Sequence, residues 1–128
     1  MADLPNVAHL RRQAQAFEKG DMKTVADSFA DGIVWHFPGK SQVAGEYRGK
    51  AAVLAFLGKA FELTGGSFRF ELIDLMGSER HVAQMDRITA TRNGKKLDII
   101  EVLVFRVEGG KTVEVWHRTD PALHEFFA

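Results

Sequence analysis

The sequence predicts an α+β fold in which N-terminal helices pack on a strongly curved, mostly antiparallel sheet built from the second half of the chain. Apolar residues recur at helical spacing up to about Thr64 and at strand spacing after Gly66. Four strand-like segments then follow one another, separated by turns of two to four residues. Connections this short join antiparallel neighbours, so the second half is predicted to be an antiparallel meander.

Two helices are expected before any strand. The first is predicted to begin near Pro5 and to end at Gly20, because one helical face is apolar: Val7, Leu10, Ala14 and Phe17. Asp21 is a suitable N-cap for a second helix. We expect that helix to end at Asp31-Gly32 and to bury a stripe made of Met22, Val25, Ala26 and Phe29.

A short strand and a third helix are predicted to precede the meander. The β-prone run from Ile33 to Phe37 is terminated by Pro38-Gly39, and a polar loop continues to Gly49. The third helix is predicted from about Lys50 to Thr64, and Gly65-Gly66 closes it. Its apolar stripe consists of Val53, Phe56, Leu57, Ala60 and Phe61.

The meander is predicted from four long strands and their turns. The strands are expected over residues 67–76, 81–92, 95–107 and 111–118. Asn93-Gly94 is a strong hairpin signal, because a tight turn between strands needs positive φ at both central residues. Asp120-Pro121 is expected to begin a short terminal helix or tail.

Composition excludes several functional classes. The 128 residues suit one domain spanning residues 1–128. No cysteine is present, which excludes disulfides, cysteine-based zinc sites and thiol nucleophiles. Seventeen basic residues balance seventeen acidic ones, so we expect no nucleic-acid or membrane partner. The chain shows no signal-peptide pattern and no apolar stretch near the ~20 residues that span a bilayer, so a cytoplasmic location is expected.

Motifs for bound nucleotides and metals are also missing from the sequence. It contains no phosphate loop, dinucleotide fingerprint, nucleophile elbow or His-Glu-x-x-His pattern. We therefore expect no cofactor and no metal, and a small, mostly apolar organic molecule as the ligand.

The third long strand is apolar on both faces. One face carries Leu97, Ile99, Glu101, Leu103 and Phe105, and the other carries Ile100, Val102 and Val104. A strand that is apolar on both faces is expected to be covered on both, and the helices can cover only one. We therefore expect a second copy of the chain to cover the face bearing Ile100, Val102 and Val104, in a homodimer.

Three stretches of the sequence resemble those of a known family: FADGIVWHFPG at residues 29–39, GEYRGKAAV at residues 45–53 and GKTVEVW at residues 110–116. The family they resemble is the nuclear transport factor 2-like superfamily, and within it the SnoaL-like, ketosteroid isomerase-related branch. The order of helices and strands is similar over nearly the whole chain. The resemblance implies a cystatin-like, cone-shaped sheet around a pocket, usually in a homodimer, and a polyketide cyclase-like or related activity. One fold hosts many functions, so it is weaker evidence for a reaction.

The resemblance also suggests which chemistry to expect. Ketosteroid isomerases place an acidic base directly before a proline, and the matching position here is Phe37 before Pro38. Their phenol on the first helix is matched by Gln13 or nearby Phe17. Only their hydrogen-bond-donating acid has a counterpart, Glu101. Steroid isomerisation by that scheme is therefore disfavoured, and the pocket carboxylates of SnoaL-type cyclases and limonene-epoxide-hydrolase relatives are the closer pattern.

Strand parity predicts a catalytic set of Asp86, Glu101 and His117 on one wall of the pocket. An apolar pocket raises the pKa of a carboxylic acid, and two neighbouring carboxylates move their pKa values apart, which leaves one acid and one base. We expect Glu101 to have a raised pKa and to act as acid or hydrogen-bond donor, and His117 to carry protons. The predicted ligand-binding residues are Trp35, Phe37, Phe56, Gln84, Ile88, Leu97, Ile99, Leu103 and Val115.

Alternatives remain open for these residues. If the parity is inverted, Asp86 pairs with Arg87 or Arg106 at the surface, and His117 is also compatible with a capped strand end. Three functions compete: a cofactor-independent isomerase, cyclase or epoxide hydrolase, a non-catalytic binding module, and a dimerising scaffold with a vestigial pocket. A perturbed acid pKa favours the first, exposed acids around an apolar pocket favour the second, and a pocket filled by Trp35 and Phe56 favours the third.

Overall fold

The computed structural model describes residues 4–38, 41–118 and 121–127 and confirms the α+β fold. Gly39 and Asp120, which the sequence places at a strand end and a helix start, lie outside the described residues. The helices are α1 (Pro5–Lys19), α2 (Met22–Ser28), α3 (Lys50–Leu63) and α4 (Pro121–Phe126). The strands are β1 (Phe29–Phe37), β2 (Gly45–Arg48), β3 (Arg69–Gly77), β4 (His81–Arg92), β5 (Lys95–Glu108) and β6 (Lys111–Arg118).

The six strands form one curved, mostly antiparallel sheet in the order β2-β1-β6-β5-β4-β3. The meander β3-β4-β5-β6 is antiparallel throughout, as its short turns predict. Only β1 and β6 run parallel, which places the early strand β1 beside the last one. Helices α1 and α3 pack on opposite ends of the sheet, α1 on β3 and β4 and α3 on β1 and β2, and α4 packs on β5.

Local signals determine several element ends. Gly20 ends α1 in the left-handed conformation, with φ of +72°, and its N–H bonds to the carbonyls of Ala16 and Phe17. Asp21 caps α2, because its carboxylate accepts a hydrogen bond from the backbone N–H of Thr24 at 3.2 Å. Asn93 and Gly94 have φ of +50° and +76°, which confirms the tight hairpin turn between β4 and β5.

Two predictions about the first half were wrong. Helix α2 ends at Ser28 rather than at Asp31-Gly32, and Phe29, expected on its stripe, begins β1. Phe29 pairs with Thr112 of β6 and is buried there, so a tertiary contact converts the end of the predicted helix into strand. The polar loop before Gly49 contains β2, an edge strand paired with β1. It carries no apolar alternation, because it is mostly exposed.

A buried polar cluster fastens α1 to the sheet and to α2. The hydroxyl of Thr112 donates to Gln13 Oε1 at 2.8 Å, and His9 Nε2 lies 3.1 Å from the same hydroxyl. Ser28 donates to Gln13 Oε1 as well, at 2.8 Å. Burial lowers the pKa of His9, and the charges of Arg12 and Lys111 act in the same direction. Because Thr112 has a single proton, which Gln13 receives, neutral His9 donates its Nε2–H to the hydroxyl.

Within the described residues, no helix is both long and apolar enough to cross a membrane.

Candidate functional site

The concave face of the sheet, together with the helices, encloses a cavity. It contains about 770 Å³ of space not filled by atoms, counted out to its open mouth. Helix α1 contributes Gln13, Ala14 and Phe17, while α3 contributes Phe56, Leu57, Ala60 and Phe61. The remaining lining residues are Trp35, Phe37, Val43, Phe68, Phe70, Gln84, Asp86, Ile88, Glu101, Leu103, Phe105, His117, Leu123 and Phe127. Most of this wall is apolar, and nine of its 21 residues are Phe or Trp, which suits a flat apolar ligand.

Strand β1 directs two aromatic rings into the cavity. Its inward residues alternate with outward ones, so Trp35 and Phe37 are buried while His36 is half-buried on the opposite face. The Trp35 ring packs against Phe56 and Phe105, with centroids 6.0 and 6.2 Å away. Trp35 and Phe56 therefore line the cavity without filling it, as both border the open space.

Four polar side chains lie together on the sheet wall of the cavity. Asp86 on β4 pairs directly with Glu101 on β5, and Leu103 pairs with His117 on β6, which puts all three functional groups on one face of adjacent strands. Gln84 lies two residues before Asp86 on the same face. Asp86 is 0% exposed and Glu101 3% exposed. The strand parity that the sequence analysis assumed is therefore confirmed.

His117 is held at both ring nitrogens. The indole N–H of Trp35 donates to His117 Nε2 at 2.6 Å, and His117 Nδ1 contacts Glu101 Oε1. An indole N–H is only a donor, so Nε2 must accept and the neutral ring must carry its proton on Nδ1. That proton then points at the carboxylate of Glu101. The result is a continuous chain of hydrogen bonds from Trp35 through His117 to Glu101.

This chain of hydrogen bonds bears on two of the predicted roles, which stay predictions. His117 was expected to carry protons, and in the structure Trp35 occupies one of its ring nitrogens and Glu101 the other. In this arrangement His117 orients Glu101. Glu101 was expected to donate a hydrogen bond, but it accepts one from His117, and this leaves Oε2 for a ligand. The geometry suits a base better than an acid.

We expect nitrogen-15 NMR to report the Nδ1–H tautomer for His117 at neutral pH. In Trp35→Phe the indole donor is lost while an aromatic ring remains, so Nε2 becomes free to carry the proton. The spectrum of that variant should show a mixture of tautomers. Wild-type protein with the proton on Nε2 would contradict the hydrogen-bond chain, and His36, on the outer face, provides an internal reference that the substitution leaves unchanged.

Among the described residues, Asp86 is the carboxyl group with a strongly shifted pKa. Burial raises the pKa of Asp86 to about 7, the hydrogen bond from Gln84 opposes this, and the charges of Glu101 and Glu18 raise it further. Gln84 Nε2 donates to Asp86 Oδ2 at 3.0 Å. The other oxygen, Oδ1, is buried without a hydrogen-bond partner. Asp86 is therefore protonated over much of the range below neutral pH.

The surface pairing that was the alternative for Asp86 does not form. Arg87 pairs with Asp98, with N–O distances of 2.9 and 2.7 Å, and Arg106 pairs with Glu108 and Glu114 on the outer face. Residues 4–38, 41–118 and 121–127 contain no group of three His, Asp or Glu side chains arranged to hold a metal ion.

Three residues predicted to contact a ligand do not border the cavity. Leu97, Ile99 and Val115 are buried in the hydrophobic core instead. Helix α4 explains the first two, because it packs on β5 and is held there by Lys95, whose ammonium donates to the Glu125 carbonyl at 3.2 Å. Six other predicted residues do line the cavity: Trp35, Phe37, Phe56, Gln84, Ile88 and Leu103.

Part of the cavity wall was not predicted from the sequence. Leu123 and Phe127 line the cavity from the C-terminal segment, which the sequence analysis treated only as a helix or tail. Gln42 Nε2 donates to the Phe127 carbonyl at 3.3 Å, and this hydrogen bond joins that segment to the loop carrying Val43. The apolar spacing of the segment was the available signal, but nothing in it indicated which side of the sheet it covers.

Comparison with known proteins identifies relatives of this fold and site. The SnoaL-like domain family matches residues 10–115. The uncharacterised protein Rv0034 of Mycobacterium tuberculosis is 32% identical over 129 residues, covering 99% of this chain and 98% of its own. Bal32a, from a soil-derived mobile gene cassette, is 34% identical with a TM-score of 0.90, and 97% of each chain is covered. TerC, crystallised with polyporic acid, has a TM-score of 0.84 at 20% identity, with 97% of this chain and 98% of TerC covered.

Proposed function

The chain belongs to the SnoaL-like domain family, and from this premise we propose that it binds a small, mostly apolar organic molecule in the cavity and catalyses acid–base chemistry on it. One observation carries the proposal. Glu101, a carboxylate oriented by a histidine, is the cross-strand partner of Asp86, whose carboxyl pKa burial raises to about 7, and both line a mostly apolar cavity. A carboxylate beside a carboxyl group whose pKa is raised, as that of Asp86 is, supplies both the base and the acid that general acid–base catalysis needs.

The roles follow from the geometry. Glu101 Oε2 is the base and takes a proton from a carbon next to a carbonyl group of the substrate. Asp86 is the acid and donates its proton to the carbonyl oxygen, so that an enol forms and no charge is left on the substrate. With a β,γ-unsaturated carbonyl substrate, return of the proton from Glu101 to the γ-carbon gives the conjugated isomer, and the enol proton goes back to Asp86. With a second carbonyl in the substrate, attack of the enol carbon on it closes a ring, the enol proton goes back to Asp86, and Glu101 gives its proton to the new alkoxide oxygen. His117 and Trp35 are positioning residues that hold the base.

A purely non-catalytic binding module fits the site less well. A binder of apolar molecules has no need for two buried carboxyl groups, and burying them is unfavourable unless they are paired or protonated. The vestigial-pocket alternative is also less well supported, since Trp35 and Phe56 leave open space. The polyporic acid in TerC is consistent with an organic ligand in this type of fold.

Hydrogen–deuterium exchange of an apolar ketone tests the proposal. The protein is incubated in deuterium oxide at pH 6.5 with 2-tetralone, a bicyclic ketone with acidic C–H groups beside its carbonyl, and the loss of those proton signals is followed by NMR. We expect the protein to accelerate the exchange well above buffer. A rate equal to buffer, with 2-tetralone bound in the cavity, would leave a binding module as the function.

We also propose that the outer face of the sheet forms a homodimer interface. Ile100 is 59% exposed there, Val102 and Val104 are half-buried, and Trp116 pairs with Val104 on the same face. Together they form an apolar surface that no helix in the described part of the chain covers, which favours association with a second copy.

Sedimentation at micromolar concentration should therefore detect a dimer, and Ile100→Glu should shift it to monomer, because a charge would be buried in the interface. Leu4→Glu is the matched control, since Leu4 is a similarly exposed apolar residue, 46% exposed, outside this face. Wild-type protein that sediments as a monomer of 14.3 kDa would refute the interface.

A further inference from the structure

Two buried oxygen atoms on the cavity wall have no hydrogen-bond partner. They are Gln84 Oε1 and Asp86 Oδ1, on side chains that are 3% and 0% exposed. Both residues border the cavity and are already joined to each other by the bond from Gln84 Nε2 to Asp86 Oδ2. Polar atoms buried this deeply are normally paired, and leaving one unpaired destabilises the protein. A ligand in the cavity is the natural partner for both.

The two atoms together present one donor and one acceptor when Asp86 is protonated. When the Gln84 amide donates its N–H to Asp86 Oδ2, Asp86 Oδ1 carries the proton and can donate it to a ligand, while Gln84 Oε1 can accept a hydrogen bond from the ligand. If the amide is turned by 180°, Asp86 donates to Gln84 Oε1, and the free atoms become a Gln84 N–H donor and an Asp86 carbonyl acceptor. Either orientation of the amide therefore presents the same complement of one donor and one acceptor to a ligand.

We propose that Gln84 and Asp86 form one recognition group for a ligand whose carbonyl oxygen neighbours an N–H or O–H, as in a carboxamide, a neutral carboxylic acid or an enolised 1,3-dicarbonyl. This inference rests on the proposed function, because it names the substrate class of the same cavity. It adds a specificity-determining residue, Gln84, to a reaction assigned above to Asp86 and Glu101. The carbonyl that Asp86 protonates would be the same carbonyl that identifies the substrate.

The same geometry selects against other ligands. An ester or a simple ketone such as 2-tetralone still accepts the hydrogen bond from Asp86 but leaves the acceptor of Gln84 unpaired, so it should bind and react but more weakly than a ligand that pairs both atoms. A ligand carboxylate would place a third negative charge near Glu101 on β5 and Glu18 on α1. His117 on β6 does not offset that charge, because its proton is directed at Glu101.

Four naphthalene derivatives of nearly equal shape separate these contributions: naphthalene, 2-naphthol, methyl 2-naphthoate and 2-naphthamide. In that order, the compounds provide no polar group, a hydroxyl group, a hydrogen-bond acceptor without a donor, and a carbonyl acceptor beside an N–H donor. Dissociation constants are measured at pH 6 by calorimetry or by quenching of tryptophan fluorescence. We expect 2-naphthamide to bind about tenfold more tightly than methyl 2-naphthoate, as one additional well-formed hydrogen bond in a dry site allows.

Variants identify the residue responsible. Gln84→Leu, or Gln84→Met if the first does not fold, should reduce the amide preference to less than about twofold, because the ligand N–H then has no acceptor. Asp98→Asn is the matched control, because Asp98 is an exposed carboxylate on the outer face paired with Arg87, and it should keep the full preference. Equal binding of amide and ester to wild-type protein would overturn this inference while leaving the cavity as a ligand site. Failure of all four compounds to bind would overturn the proposed function and this inference with it.

Discussion

Glu101→Gln should reduce ketone exchange by about 100-fold or more while leaving the protein folded and able to bind apolar ligands. A general base commonly contributes a factor of roughly 10²–10⁴ to the rate. Glutamine has nearly the same shape as glutamate but cannot accept the substrate proton. Since the proposed mechanism assigns that step to Glu101 alone, its effect on activity should be the largest of any single substitution.

The hydrogen-bond chain explains why folding should survive this change. The amide oxygen of the introduced glutamine can accept the Nδ1–H of His117, as Glu101 Oε1 does. His117 therefore keeps both partners, and the indole bond from Trp35 is undisturbed. The amide nitrogen then occupies the place of Oε2, where a donor replaces the base. Glu101→Gln therefore tests the loss of catalysis in a protein that still binds the ligand.

Glu114→Gln is the matched control for this experiment. Glu114 lies on the neighbouring strand β6 but on the outer face, where His36 and then Arg106 lower the pKa of its carboxyl by hydrogen bonding. Its replacement makes the same chemical change outside the cavity, and exchange should continue at the wild-type rate. Undiminished exchange in Glu101→Gln would remove Glu101 from the mechanism and leave Asp86 as the remaining carboxyl group.

The order of elements was predictable because it depends on local chemistry. Gly20, Asp21 and Asn93-Gly94 require particular backbone conformations, and they placed helix ends and a hairpin correctly. The alternation of side chains along strands has a period of two, so Asp86 and Glu101 could be assigned to one face once the hairpin was placed. β2 was missed because an exposed edge strand has no apolar pattern to detect.

The detailed arrangement of the site depends on contacts between distant segments. β1 lies parallel to β6, and this pairing brings Trp35 beside His117, which are 82 residues apart in the sequence. No local pattern indicates such a pairing, so the hydrogen bond from the Trp35 indole to His117 could not be predicted from the sequence. The burial of Asp86 likewise follows from packing of helices onto the concave face, and strand alternation alone gave both acids the same environment. The structure separates them by giving Glu101 a histidine donor and Asp86 only an amide.

Asp86→Asn should stabilise the protein in alkaline but not in acidic solution. Burial raises the pKa of Asp86 from 3.8 to about 7 in the folded protein, while the unfolded chain keeps the ordinary value. Between these values the folded state binds more protons than the unfolded state, so stability falls as pH rises from about 4 to about 7 and is then constant. At about 1.4 kcal/mol per pH unit, the total loss is up to about 4 kcal/mol.

Asparagine removes this loss because it has the shape of a protonated aspartate and never ionises. Urea unfolding followed by tryptophan fluorescence at pH 4.5 and pH 8 provides the comparison. At pH 4.5, which is close to the ordinary pKa of 3.8, the free energies of unfolding of the variant and the wild type should differ by only about 1 kcal/mol. At pH 8 the variant should be more stable by several kcal/mol, which is unusual for a substitution in a buried site. The hydrogen bond from Gln84 is retained, since an asparagine oxygen can accept it.

Asp98→Asn is a control for which we expect the opposite change in the free energy of unfolding at pH 8. Hydrogen bonds from Arg87 lower the pKa of exposed Asp98, so its charge favours the folded state and its removal should slightly destabilise the protein at pH 8. Comparing the two variants cancels the effects of pH on every other carboxyl group. If Asp86→Asn is no more stable than wild type at pH 8, Asp86 is not a buried acid with a raised pKa. Glu101 would then have no acid opposite it, and proton donation to the substrate would need a different group.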